Sequence, residues 1–398
     1  MLDPKDRKHI VGLVAENENG VLEASSRGYG EIWKECGYSY EIIDLFQPDG
    51  ITRLSQALGR KDLSFVFGFA GVGSQLENDK GQNLWEAIRI PFVSLWYDHP
   101  CYNYRQHAVD SSYVINVYHV RDHFEVKEKY LRSRSNVLLL PIRGVRKPWQ
   151  NRAPLEKAAK WILFVKTADN PADIETTWQG YPMALREILF DLAALAKANR
   201  NLDLADATAQ IFQDRRISTE NADDFFGVMQ EVDRYIRGWR SDKMARAMLP
   251  HPSRIIGRGW DYLIDIPRRT QFHKPCSMLD MYRSMAHFSL CANTNPLWRD
   301  GLHERVYYSM MLGAVTITDK TERSDALFGD LPQYQGFEWN DDLSDVIAQA
   351  FALCEVGQDY RASGYQAVCE RLAFDHQKVT APVKKAVEDL WQTPPSGR

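Results

Sequence analysis

The chain has 398 residues, of which 44% are apolar and 26% charged, and a formal net charge of −4. One hydrophobic core usually serves no more than ~250–300 residues, so two domains are expected. The mild negative balance speaks against bulk electrostatic binding of nucleic acid, and no apolar run approaches the ~18 residues that would suggest stable membrane insertion. The opening MLDPKDRKHI carries no hydrophobic signal core, and the six cysteines form no C-x-x-C pair. Reduced thiols and a cytoplasmic location are therefore expected, without a disulfide framework or a structural zinc site.

Residues 1–145 alternate strands and helices. The apolar runs predict strands at His9–Ala15, Tyr40–Leu45, Leu63–Phe69, Ile90–Tyr97, Tyr113–Val117 and Val137–Pro141. Helices are expected at 24–36, 51–58, around Trp85–Ile88 and at 121–132. Repeated β-α units imply a parallel sheet covered on both faces. The stretch RGVRKPWQNRAPLEK, residues 143–157, is basic, holds two prolines and reads as a linker. A strand at Trp161–Lys166 opens the second half. Helices at Met183–Ala198, 202–213 and 224–248 are long for a Rossmann-type connection and read as a helical insertion. After Pro252, strands are expected at Arg254–Gly257 and Tyr262–Asp265, then a helix at Leu279–Ser284. The domains are read as 1–150, 151–378 with the insertion at about 180–250, and 379–398, a final helix and tail.

Residues 286–319, AHFSLCANTNPLWRDGLHERVYYSMMLGAVTITD, are the most informative segment. Phe288, Leu290 and Ala292 alternate as in a strand, and Asn293–Pro296 break it. Leu302, Val306, Tyr307, Met310 and Met311 fall at helical spacing up to Gly313, and Val315–Thr318 form a β-branched run. The helix is expected to open near Gly301, with His303, Glu304 and Arg305 in its first turn. A basic side chain opposes the dipole there, which makes sense if an anion such as a diphosphate sits on that end.

HERVYYSMMLGAVTITD resembles the H-x-R-(V/I)-(F/Y)-x-(A/S)-M-x-x-G-A-x-x-x-(T/S)-D signature of CgeB-like bacterial glycosyltransferases, relatives of the group-1 glycosyltransferases. GFAGVGSQ (68–75), IPFVSLWYDHP (90–100), IIGRGWD (255–261) and HKPCSMLDMYRSMAHFSL (273–290) resemble further family segments, in family order over about residues 10–375. The resemblance implies an α/β, GT-B-like fold, with two Rossmann-like domains facing a cleft and the last helix crossing back to the first. It implies an enzyme that moves a sugar from a nucleotide-diphosphate donor to an acceptor glycan, protein or small molecule. The nucleotide sugar is a co-substrate, and no other cofactor is expected. The resemblance also places Tyr308 where many relatives carry a ribose-binding Glu, leaving that contact to Glu304 or to none.

In open α/β sheets, ligands bind beyond the carboxyl ends of strands. Glu16–Gly20 and Phe69–Ser74 are two such loops. The resemblance gives Lys166 a diphosphate contact, and sets Ser277 in a loop whose backbone meets the donor base. Asn293 and Asn295 are candidates for sugar hydroxyls or pyrophosphate, and Arg258, between two glycines, for the diphosphate. His303 and Arg305 are the principal anion ligands. Transfer to a hydroxyl needs a proton acceptor, and Asp98 or His99 after the fourth strand supplies one; the alternative is that Asp98 caps the turn and His99 is packed. No D-x-D occurs, so no metal is expected. Two other functions fit the same residues: a non-catalytic nucleotide-sugar or glycan-binding protein, and a GT-B-type sugar epimerase.

Overall fold

The computed structural model describes residues 2–15, 20–140, 159–355, 360–372 and 376–392. The expected acidic loop at 16–19 and the expected linker at 143–157 lie outside the described residues. The chain divides into two compact units, Met1–Arg146 with Ala373–Arg398, and Lys147–Leu372.

Unit 1 runs β1 (His9–Val14), α1 (Val21–Glu35), β2 (Ser39–Asp44), α2 (Gly50–Leu58), β3 (Leu63–Phe69), α3 (Leu84–Ile88), β4 (Phe92–Trp96), α4 (Tyr104–His107), β5 (Val114–Tyr118), α5 (Arg121–Tyr130) and β6 (Asn136–Leu139). The six strands are parallel in the order β2-β1-β3-β4-β5-β6. Every residue of β1, β3, β4 and β5 is buried. Helices cover both faces of such a sheet, so its central strands are apolar throughout rather than alternating.

Unit 2 opens with β7 (Ala159–Val165), followed by α6 (Pro171–Gln179), α7 (Met183–Ala198), α8 (Leu204–Asp214) and α9 (Ala222–Met248). Then come β8 (Ser253–Ile256), β9 (Thr270–His273), α10 (Met278–Met285), β10 (Phe288–Asn293), α11 (Glu304–Met311), β11 (Val315–Asp319), α12 (Glu322–Phe328), β12 (Tyr334–Phe337), α13 (Leu343–Glu355) and α14 (Tyr360–Arg371). Its six parallel strands lie in the order β12-β11-β10-β7-β8-β9. Counted from β7, that is the Rossmann order 3-2-1-4-5-6, with the switch point between β7 and β10. One apolar cluster joins β7, β8, β10 and β11 to α9 and α13; another, on α10 and α11, includes Met281, Met285 and Leu312.

Two expectations are corrected here. Tyr262–Asp265 is not a strand: Asp261–Leu263 is a 3-10 turn, and Thr270–His273 takes the edge position. A four-residue apolar run carries no usable period, and this one buries Leu263 beside Trp260 while Ile264 stays 41% exposed. The helix expected from Gly301 begins at Glu304, with His303 as its N-cap. Gly301 belongs to the loop instead. Its carbonyl accepts from Thr321 Oγ1 at 2.6 Å, and a Cβ there would lie 2.1 Å from the Trp298 ring.

The last helix, α15 (His376–Gln392), belongs to unit 1. It buries Val383 and Val387 among Ile10, Trp33 and Phe65. Trp391 Nε1 donates to Ser64 O at 2.7 Å, and the Arg7 guanidinium lies 3.8 Å from the Trp391 ring centre.

Candidate functional site

At the switch point of unit 2, the loops after β7 and β10 and the start of α11 come together. Lys166 follows β7, and its ammonium donates to Thr294 O at 3.4 Å. Arg305, in the first turn of α11, donates from one terminal nitrogen to Val165 O. Its other terminal nitrogen lies 2.6 Å from His303 Nε2. His303 Nδ1 lies 2.7 Å from Glu304 Oε2 and 3.3 Å from the Arg305 backbone nitrogen. A ring nitrogen cannot donate and accept at once. The guanidinium has only donors, so Nε2 must accept from it; at Nδ1 the acceptor-only Glu304 carboxylate at 2.7 Å competes with the Arg305 N–H at 3.3 Å, and the shorter contact takes the proton of the neutral ring at the expense of the longer. Burial, then the Arg305 charge, hold the His303 pKa down to about 4, which keeps the ring neutral. Burial alone would raise Glu304, but the imidazole and Arg305 draw it down to about 2. A carboxylate–imidazole–guanidinium chain thus orients Arg305.

The helical insertion also reaches this point. Arg240 of α9 is 2% exposed. One of its terminal nitrogens donates to Asn295 O at 3.1 Å and Pro296 O at 2.8 Å, and lies 3.4 Å from Asp319 Oδ2. Asp319 also accepts from the Asn295 N–H at 2.7 Å and from Trp339 Nε1 at 3.2 Å. One turn earlier, Arg237 Nε lies 2.7 Å from Asp233 Oδ2. The sequence reasoning missed these residues. Their signal was present: Asp233, Arg237, Arg240 and Met244 recur at helical spacing on a face that is otherwise apolar.

Pairing the charges leaves a surplus. Arg240 meets Asp319, Arg237 meets Asp233, and Arg305 meets Glu304 through His303. Among the described residues, Lys166 has no carboxylate within ion-pairing distance. Burial, then Arg305 and Arg237, push its pKa well below the usual lysine value. Lys166 is half-buried; a partly desolvated cation without a counter-charge is costly, and a bound anion would relieve that cost. A cavity of about 270 Å³ opens here, lined by Lys166, Thr167, Asp169, Arg237 and Gly238. A larger one of about 530 Å³ adjoins it at Asp169, and Asp173, Glu231 and Asp261 line it, whereas Lys166 and Arg237 line the smaller.

The other residues singled out in unit 2 fall elsewhere. Asn293 and Asn295 are buried, and their amides serve the loop itself. Asn293 Nδ2 donates to Asn295 Oδ1 and Thr318 Oγ1, each at 3.1 Å, and Asn295 Nδ2 to Asp319 O at 2.8 Å. These bonds brace the loop after β10. Arg258 is exposed, and its carbonyl accepts from Ala168 N at 2.9 Å. Ser277 caps α10 by accepting from Asp280 N at 3.2 Å. Tyr308 packs against Tyr282, with ring centres 4.4 Å apart. Among the described residues, no three His, Cys, Asp or Glu side chains are grouped as a metal site requires.

In unit 1, Asp98 is exposed just beyond β4. His99 is 6% exposed, and its Nδ1 accepts from Cys101 N at 3.2 Å, capping a 3-10 turn. The lone pair of His99 that would take a proton is held by the backbone. The capping expected of Asp98 is done by His99. The glycines after β3 serve packing: a Cβ at Gly71 would lie 2.4 Å from the Trp96 ring and one at Gly73 2.5 Å from Leu13.

Among solved structures, the chain is similar to sucrose-phosphate synthase from Thermosynechococcus elongatus, at 10% identity, covering 97% of this chain and 99% of that one, with a TM-score of 0.51. It is similar to AviGT4, a glycosyltransferase involved in avilamycin A biosynthesis, at 9% identity, 97% and 99% coverage and a TM-score of 0.52. An α-glucosyltransferase solved with UDP-glucose and DNA containing an abasic site matches at 9% identity, 96% and 99% coverage and a TM-score of 0.54. No protein-family model and no curated protein matches the chain. At these identities the likeness is one of fold: two Rossmann-like units of the GT-B type, as expected from the motif order.

Proposed function

We propose that the protein is a glycosyltransferase that moves a sugar from a nucleoside-diphosphate donor to an acceptor hydroxyl, within the CgeB-like group and in the cytoplasm. The observation that carries the reading is the surplus cation Lys166 at the switch point of a 3-2-1-4-5-6 sheet, beside Arg305 and the start of α11. In the transfer, the bond from the anomeric carbon to the diphosphate oxygen breaks and a bond to the acceptor oxygen forms. Negative charge gathers on the departing diphosphate. Lys166, Arg305 and the helix N-terminus meet it with donors already in position, a form of stabilisation that costs no reorganisation during the reaction. The acceptor proton goes to a carboxylate, for which Asp98 is the side chain we assign.

The test has two stages. A thermal-shift series with UDP, GDP, dTDP and their sugars should raise the melting temperature for one base, since a ligand of the folded state stabilises it. Incubation with that donor should then release the nucleoside diphosphate, faster once an acceptor is added. A chain that no nucleotide stabilises would overturn the reading. Binding without turnover would favour a non-catalytic sugar-nucleotide binder, which the tyrosine at position 308, packed on Tyr282 in place of a carboxylate, also supports.

A further inference from the structure

α9 is the long helix of the insertion, and its contact with the β7 loop is unusually close. Gly238 makes that possible: a Cβ there would lie 2.5 Å from Asp169 O. Glycine inside a helix costs roughly 1 kcal/mol relative to alanine, so its presence needs a reason, and direct backbone packing is one. The neighbouring Arg237 is thereby carried to the wall of the 270 Å³ cavity, opposite the loop that bears Lys166 and Thr167. At the ~30 Å³ each water occupies in the liquid, the cavity has room for about nine waters, and a diphosphate group fits.

The loop after β7 cannot supply a second cation itself. Between Lys166 and the start of α6 it reads Thr167-Ala168-Asp169-Asn170, with no basic residue. Asp169 lines the cavity too, but its carboxylate is matched by Arg234 at 3.0 Å. Asp233, 2% exposed, forms an ion pair with the Arg237 guanidinium, its Oδ2 2.7 Å from Nε. A carboxylate in that position orients a planar fork without removing its charge from the cavity.

We infer that Arg237, carried by the helical insertion, is a ligand of the donor's diphosphate, and that Asp233 is its positioning residue. The inference rests on the donor reading above. The insertion is then part of the binding site, standing in for a cation the β7 loop lacks.

The experiment is calorimetric titration of the intact chain with UDP, GDP, dTDP and inorganic pyrophosphate, with thermal melting as a control of folding. Arg237→Gln should weaken the preferred diphosphate at least tenfold. Because that change takes away the charge facing the buried Asp233 carboxylate, the double variant Asp233→Asn/Arg237→Gln removes both charges; it should melt near the wild type and bind as weakly as the single variant. Arg237→Lys should recover part of the loss. Wild-type affinity in the double variant would overturn the inference and leave the donor reading standing. If the wild-type chain bound none of the four probes, the donor reading would fall, and the inference with it.

Discussion

The two sheets are alike in architecture but differ at their carboxyl ends. In unit 1 many of the polar groups there are neutral and bonded to one another or to the backbone. His107 shares a 2.5 Å hydrogen bond with Tyr118 and stacks on Trp96, and His119 Nδ1 donates to Leu140 O at 2.7 Å. Phe69, Tyr97 and His119 stack in sequence across three strands, and His99 closes a backbone turn. In unit 2 the same end gathers Lys166, Arg237, Arg240 and Arg305 against three carboxylates. Burial is tolerable where hydrogen bonds close among neutral groups and costly where a charge is left over. The excess of half-buried and buried cations over carboxylates at that end of unit 2 is what the proposed anion site rests on.

The contrast can be broken most sharply at Arg305. Arg305→Ala removes a donor fixed at the anion loop, and the donor-side kcat/KM should fall by about 10²–10³. Asp98→Asn, in unit 1, should lower kcat while leaving the titration of the nucleoside diphosphate unchanged. Equal loss of binding in both variants would erase the division of labour between the units. A smaller effect is expected at Glu304. Glu304→Ala frees the His303 ring to turn and should weaken the diphosphate by about tenfold, the order of loss seen when an orienting partner is removed. Glu304→Gln keeps an oxygen for Nδ1–H and should recover most of it, which a purely electrostatic role would not allow.

The smallest effect is on stability. His303 titrates near 4 in the folded chain and near ~6.5 when unfolded, so between these values the unfolded state binds the extra proton. Stability therefore rises with pH across that window and is lost on acidification from neutrality toward pH 4. Glu304, depressed to about 2, acts in the same direction lower down, its contribution disappearing as pH falls below its unfolded value. At pH 5 the His303 share is about 1–2 kcal/mol. His303→Asn should reduce the drop in melting temperature between pH 7 and pH 5, leaving the part due to His107, which burial also depresses. An unchanged drop would show that His303 is not the buried neutral ring described above.

Some of the site was legible in advance and some was not. Lys166, His303 and Arg305 were singled out because strand ends and helix starts mark themselves in sequence and a cation at a helix start is out of place, and the structure brings them together at the switch point. For Asn293 and Asn295 the sequence showed only their place beyond a strand; that their amides bond within the loop and to β11 emerged from the structure. Arg237 and Arg240 escaped because they sit inside a helix, where a charged residue reads as a solvated face unless its partner is known. The partner of Arg240 is Asp319, 79 residues away.

By itself, then, the amino-acid sequence determined the β-α alternation and the near-continuous apolar strands, and it marked the polar turn between β10 and α11. Those features are local: side-chain period, turn chemistry and capping act over a few residues. Only the tertiary structure decided that the insertion helix joins the site, that His99 serves the backbone, and that Lys166 is left without a counter-charge. Each of these depends on which distant charges meet after burial, and no local periodicity encodes that pairing.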